Sequence, residues 1–546
     1  MPLIRSENAP PKLKPRPGWS RLALALALCL PAAHLSLAQT AGAVPGRGTA
    51  SLPSLGDSSE LSSAAERRIG ERIAVSIYRD PDYVDDPVLV DYLQSIWQPL
   101  MAAARSRGEL SAELDERFAW EVFLIRDRSI NAFALPGGYF GVHLGLISAV
   151  NSADEMAAVL AHELSHVTQR HISRLMTQQS KQAPWMIAAM VLGALAASKS
   201  PNAGAAAIVG GQAMALQGQL NFSRDMEREA DRVGFGVMSD AGYASRGVSN
   251  MFEKLQQANR LNDNGSFPYL RSHPLTTERI AEAQARVQLA SSAAPRPSPE
   301  KQAAEGRAQL LHAMMAARAR ILAVPGVDAL RTLLAEAQRR AAPLPALQSP
   351  PSATHVRDAG ALYAGAFAAA QLRDFPTARL LLARLKLLTA DLARASKAVE
   401  LLGMEIDLLD SKIPASAATA DIGKAASRAE LLTQAKSLMA ANRAADVSQA
   451  LQTWVAEHPR DAMAWQVLAT AYGQQNQKVR AIRADAESRV AQLDYGAALD
   501  RLKAAQGLMR SEPGSADYVE GSIIDTRTRQ VESILKEQAL QDKIDR

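Results

Sequence analysis

The residues best suited to chemistry lie within five positions of one another: His162-Glu163-Leu164-Ser165-His166. On an α-helix, residues four apart differ by about 40° in direction and lie one turn apart, so His162 and His166 present both imidazoles to one ion. Glu163 sits about 100° round from His162, close enough to reach water at that ion without being a ligand. Two histidine ligands with a flanking glutamate base suit zinc hydrolysis. With nine histidines in the chain, the pattern arises by chance in roughly one such sequence in a hundred. The competing reading is therefore a polar helix face that binds nothing. Against it, Met156, Val159, Leu160, Leu164 and Val167 place the motif on an amphipathic helix.

Catalytic zinc takes three protein ligands and keeps a position for water. A metzincin would carry Gly at position 169 and His at 172; Gln169 and Ile172 stand there and exclude that class. The segment 223–231, SRDMEREAD, offers carboxylates on a second helix. Glu227, 61 residues beyond His166, is the better candidate, with Asp231 four residues on and on the same face. Spacing alone does not separate Glu227 from Glu229. His143 and His171 read as strand-surface and helix-surface residues.

These residues need a scaffold. Ser152 followed by Glu155 is a capping-box signature that opens a long helix running to about Gln179. Helical patterns precede it at 61–78 and 86–105, and a β-like run covers 118–125. A second extended run, 130–135, meets Pro136-Gly137-Gly138 and restarts over 139–144, so two short strands flank a turn. The run around 133–142 suits a sheet edge near the cleft, where extended peptide adds as a further strand. Asn131, Phe133, Pro136, Gly137 and Gly138 are its candidate substrate-contacting residues.

Downstream, 184–197 and 203–216 are apolar, Ala-rich and each shorter than a membrane span. They read as a buried helical hairpin, with a mobile lid or an interfacial membrane contact as the sharper alternative. A Ser-, Ala- and Pro-rich break covers 291–299, and from 300 onward the pattern is helical throughout. Trp465, Leu468, Ala469, Tyr472 and Ala481 land on tetratricopeptide positions; a plain helical bundle is the alternative.

Composition narrows the rest. Of 546 residues, 47% are hydrophobic and 21% charged, which excludes broad disorder. A single cysteine, Cys29, excludes an intramolecular disulfide framework and a cysteine zinc cluster, so any metal sits on His, Asp or Glu. Residues 1–38 carry +4 of the net charge of +5, which leaves no basic signature for a nucleic-acid partner. That stretch has a basic start, an apolar run over 22–30 and a small-residue site at Ser36-Leu37-Ala38, the three parts of a secretory signal peptide. Leu28 stands where a lipidated Cys29 would need a small residue. A long basic leader and a mature chain without cysteine favour a bacterial envelope.

The chain resembles the HtpX-like and CAAX-prenyl-protease-like zinc metallopeptidases, and most closely their soluble periplasmic branch, the BepA-type β-barrel assembly-enhancing proteases. Carrying the resemblance over about residues 57–290 are Asn131-Ala132-Phe133-Ala134-Leu135-Pro136-Gly137-Gly138-Tyr139, His162 to His166 within AVLAHELSHVTQRH, SRDMEREAD, and His273-Pro274-Leu275. It implies one Zn2+ per chain on His162, His166 and Glu227 rather than Glu229, with Glu163 and Asp231 catalytic. Asp231 reads as orienting His162 or His166, although the family convention calls it a proton donor. His273 is left with three readings: an oxyanion contact, a fourth ligand that shuts the site, or the cap of a helix beginning near Thr277.

The expected fold class is α+β: a mainly helical zincin-type metallopeptidase domain with a small sheet, followed by an all-α tetratricopeptide-like repeat domain. The expected order is signal peptide 1–38, flexible lead-in 39–56, metallopeptidase 57–290, linker 291–299 and repeats 300–546. The implied activity is periplasmic hydrolysis of unfolded or misassembled outer-membrane proteins, with the β-barrel assembly machinery and peripheral membrane contact as further implied partners. The alternative is a chaperone acting through its repeats with a latent protease.

Overall fold

A computed structural model describes residues 61–178, 223–260, 269–293, 298–323, 326–340, 351–414, 421–512 and 518–544. The expected signal peptide and the apolar stretches 184–197 and 203–216 lie outside the described residues. The fold is α+β, mainly helical with one four-stranded sheet.

Helix α1 (Ser63–Tyr78) starts on the Ser62 hydroxyl, which accepts from Ala65 N. Helix α2 (Pro87–Ser106) starts on Asp86 with Pro87 in its first turn, where the missing N–H costs nothing. A short α3 (Ala112–Arg117) leads to the sheet, built from β1 (Tyr83–Val84), β2 (Glu121–Ile125), β3 (Ala132–Leu135) and β4 (Tyr139–His143) in the order β1-β2-β4-β3. β4 runs parallel to β2 and antiparallel to β3, with Phe123 opposite Gly141 and Phe133 opposite Gly141 on the other side. Between β3 and β4, Gly137 and Gly138 adopt φ of 74° and 80°, a conformation that side chains resist. A Cβ on Gly137 would also come within 2.7 Å of Arg67 Cα. The turn is thus buried against α1.

After α4 (Leu144–Ala149), Ser152 caps α5 (Ala153–Thr168) and accepts from Glu155 N. The helix does not continue to Gln179. It ends at Thr168, Arg170 takes a left-handed φ of 54°, and α6 (His171–Gln178) begins in a new direction. Arg170 itself is held by Glu66 at 3.3 Å, by Ser173 Oγ at 3.2 Å and by the Leu61 carbonyl. Further on, α7 (Arg224–Asp240) packs across α5, and α8 (Arg246–Arg260) packs on α5 as well. A single turn, α9 (Tyr269–Ser272), precedes α10 (Thr277–Ala293).

From Ser298 the described chain is helical: α11 (Pro299–Leu322), α12 (Val327–Arg340), α13 (Ala353–Gln371), α14 (Phe375–Thr389), α15 (Ala393–Leu409), a 3-10 turn (Ile422–Lys424), then α16 (Arg428–Ala440), α17 (Ala444–Glu457), α18 (Ala462–Gln474), α19 (Lys478–Ala491), α20 (Tyr495–Ser511) and α21 (Tyr518–Ile544). One hydrophobic core runs from Val84 through α5 and α7 into α11, α13 and α15 and on to Ala429. A separate core holds Trp465, Leu468 and Tyr472 of α18 with α16, α17 and Ala484. No helix among the described residues is long and apolar enough to cross a membrane.

Candidate metal centre

The site begins with a close helix crossing. Gly234 of α7 meets α5 where a Cβ would lie 3.0 Å from the Ala161 carbonyl oxygen. That approach brings Asp231 and Glu227, one and two turns earlier on α7, against His162 and His166 of α5. His273, just after α9, closes the group from a third direction. His162, His166, Glu227 and His273 are all buried and each offers a ligand atom within 4.8 Å of the others.

His162 Nε2 lies 3.0 Å from His166 Nε2. Glu227 Oε2 is 3.5 Å from His162 Nε2, and Glu227 Oε1 is 3.4 Å from His166 Nε2. His273 Nδ1 stands 3.0 Å from Glu227 Oε1 and 3.3 Å from His162 Nε2. Bonds of about 2.0–2.2 Å in a tetrahedron put ligand atoms roughly 3.3–3.5 Å apart, and these distances bracket that value. The donor chemistry fits too, since imidazole nitrogen with one carboxylate is a zinc ligand set.

Unsatisfied groups mark the same spot. Neither oxygen of Glu163 takes a well-aligned hydrogen bond among the described residues, although the Tyr269 hydroxyl lies close enough to favour its charged form and His273 Nε2 is 3.4 Å from Oε1. Glu227 Oε2 likewise lacks an aligned bond, despite its ion pair with Arg279 Nη1 at 2.6 Å. Buried carboxylate oxygens left so are costly unless a ligand completes them.

The electrostatics separate the two glutamates. Burial drives the Glu163 carboxyl upward, against the pull of His273 and His162, which suits a proton acceptor. Burial also acts on Glu227, yet His273, His162 and His166 outweigh it and hold Glu227 well below the usual range, as a charged ligand needs. For Asp231, burial is overcome by Arg279 and His162, and the group falls to about 2. Burial lowers His162, but its bonds to Asp231 and Glu227 win and push it up to about 10. In a protein without metal, the carboxylates thus attract a proton onto His162; a divalent cation meets the same field.

Asp231 Oδ1 lies 3.0 Å from His162 Nδ1, and Arg279 clamps Asp231 with bonds of 2.7 and 2.9 Å. The cap of α10 is Thr276, whose hydroxyl accepts from Arg279 N, so His273 does not serve there. Tyr269 stacks on the His273 ring, centroids 4.5 Å apart.

Among the described residues β3 is one of the two edge strands, the one in contact with α5. Phe133 lies on it with its ring over Gly141, and Asn131 precedes it with a buried, unbonded Oδ1 and a carbonyl that accepts from His143 N. Pro136, Gly137 and Gly138 are instead buried in the turn against α1 and do not line that edge.

Two histidines correct the sequence reading. His143 is buried because β4 is an inner strand covered on both faces; its Nδ1 lies 2.9 Å from Ser129 Oγ. His171 is fully buried because the helix breaks before it and turns its ring back toward His166. Arg279 was missed outright: no local pattern marks an arginine whose partners lie 48 and 52 positions away.

Residues 91–287 match the model of Peptidase family M48. A relative from Vibrio cholerae is 36% identical over 238 residues, covering 43% of this chain and 47% of the relative. The beta-barrel assembly-enhancing protease of Escherichia coli (strain K12) is 33% identical over 238 residues, with the same coverage. Mitochondrial metalloendopeptidase OMA1 of Arabidopsis thaliana is 32% identical over 195 residues, 36% of each chain. The chain spans about half the length of the bacterial relatives it matches.

Proposed function

Starting from a Peptidase family M48 domain over residues 91–287, we propose that this protein is a zinc endopeptidase that cleaves misfolded or misassembled outer-membrane proteins in the bacterial periplasm. The observation that carries it is the buried group of four donor atoms within 4.8 Å, with the buried Glu163 carboxyl beside them. His162, His166 and Glu227 would hold the ion, one per chain. A zinc ion there supplies Lewis acidity, polarising a carbonyl and lowering the pKa of water.

The chain's own groups do the rest. Glu163, its carboxyl raised by burial, accepts the proton of the attacking water and passes it to the leaving amine. Asp231 keeps His162 oriented through Nδ1, which leaves Nε2 turned toward the other donor atoms, where it would hold the ion. Arg279 fixes Asp231 in turn. Extended peptide adds along β3, where Phe133 and the backbone from Asn131 present main-chain groups. Such binding selects unfolded chains. The names of the relatives support a substrate in β-barrel assembly, and the long helical tail would supply a docking surface.

One observation favours a second reading, a chaperone with a latent protease. His273 Nδ1 stands among the donors, where a fourth ligand would exclude water. The test is zinc content together with cleavage of an unfolded barrel protein. Wild type should bind one zinc and cleave slowly, Glu163→Gln should bind zinc without cleaving, and His273→Ala should cleave faster than wild type. Proteolysis retained by Glu163→Gln would contradict the assignment.

A further inference from the structure

The segment SRDMEREAD presents two glutamates, and each engages a histidine. Glu227 reaches His162 and His166 directly. Glu229, two positions on and about 200° round α7, reaches His171: its Oε2 lies 3.0 Å from His171 Nε2. The Arg174 guanidinium holds the same oxygen at 2.9 Å. The other ring nitrogen of His171, Nδ1, lies 2.9 Å from His166 Nδ1.

Two imidazole nitrogens at that distance share one proton between them, one as donor and one as acceptor. Glu229 decides which. An ionised carboxylate only accepts, so the proton of a neutral His171 sits on Nε2 and its Nδ1 carries a lone pair. His166 must then carry its proton on Nδ1. That leaves the lone pair of His166 on Nε2, the atom 3.0 Å from His162 Nε2 and 3.4 Å from Glu227 Oε1. The opposite tautomer would put an N–H where a metal belongs.

We propose that His171 and Glu229 are positioning residues, a two-step relay that fixes the orientation and tautomer of His166 for metal binding. The inference rests on the reading of His166 as a ligand. Each metal-facing imidazole is thereby anchored to a carboxylate of α7: His162 to Asp231 directly, His166 to Glu229 through a second ring. The break at Arg170 is what makes the relay possible. On a continuous helix, His171 would point about 140° away from His166.

Zinc affinity, measured by competition with a chromophoric chelator on the full chain, tests the relay. Loss of an outer partner weakens metal binding by about 10- to 100-fold, and His171→Leu should fall in that range. His171→Asn should recover to within about threefold, because its Oδ1 takes the place of the Nδ1 acceptor. Glu229→Leu, which removes the acceptor, should lie between. In protein labelled with 15N-histidine and free of metal, the Nδ1 proton of His166 should be displaced in His171→Leu and kept in His171→Asn. The relay is overturned if His171→Leu binds zinc as wild type does, or if His171→Asn is as weak as His171→Leu. Should His171→Leu fail to fold, Glu229→Leu decides, since Glu229 is partly exposed, and wild-type affinity there overturns the relay. Failure of wild type itself to take up zinc would sink the metallopeptidase reading instead.

Discussion

Among the described residues, two of the buried charge clusters are finished differently. At one, Arg318 of α11 is enclosed and fully paired. Its guanidinium donates to Asp86 at 2.8 and 2.6 Å, to Glu405 at 2.9 and 2.7 Å and to the Tyr363 hydroxyl at 3.1 Å. At the other, around His162, neither Glu163 oxygen takes a well-aligned bond among the described residues, although Tyr269 and His273 lie beside them, and Glu227 Oε2 is met by the Arg279 guanidinium. The first cluster joins α2, α11, α13 and α15 and has nothing left to offer a ligand. The second sets the carboxylates of Glu227 and Asp231 around Arg279 and turns four donor atoms toward one another. A satisfied buried charge serves the fold, and an unsatisfied one marks the chemistry.

The sharpest test of that contrast is Glu163→Gln. It should lower cleavage by about 10²- to 10⁴-fold while leaving the melting temperature equal or higher, because an uncompensated carboxylate is neutralised. A marked loss of stability in Glu163→Gln would erase the distinction. At the other cluster, Arg318→Met strands Asp86 and Glu405 and should cost about 3–5 kcal/mol in chemical denaturation. Activity per folded molecule should be unchanged there. Metal removal should then discriminate the two regions directly. Zinc at a hundredfold its dissociation constant adds about 2.7 kcal/mol, so chelation should lower wild-type and Arg318→Met stability equally and leave His166→Ala unaffected.

Glu66 is the intermediate case, a buried carboxylate with one partly exposed partner, Arg170. Burial outweighs Arg170 and the backbone bond from Gly137, raising its pKa from 4.5 to about 7. The unfolded chain ionises this group near 4.5 and the native chain only near 7, so its penalty sets in as pH rises through that window. Glu66→Gln should therefore gain up to about 3 kcal/mol over wild type at pH 8, and little at pH 4. An equal gain at both values would show that Glu66 is not held neutral.

Legibility in the sequence followed the range of the contact. His162, Glu163 and His166 were readable because a helix of known pitch fixes their directions within one turn. The Ser152 cap, the strands around Pro136-Gly137-Gly138 and the helical tail were readable for the same reason. The break at Gln169-Arg170 was not. Neither residue is a helix breaker, and what stabilises the turn is Arg170 reaching Glu66 and the Leu61 carbonyl more than a hundred positions away. With the break unseen, His171 looked like a surface residue. His143 was misread because period-two alternation assumes one exposed face, whereas all five residues of β4 are buried.

What the amino-acid sequence determined is the donor set: two imidazoles a turn apart, a general base beside them, and carboxylates on a second helix. Local geometry suffices for this, since backbone hydrogen bonds impose the pitch regardless of what packs around it. Only the tertiary structure decided which glutamate of SRDMEREAD faces the imidazoles and which reaches His171. It alone brought His273 and Arg279 inward. Rotation of one helix about its axis against another is set by side-chain packing, here the approach at Gly234, and that packing is a property of the whole core.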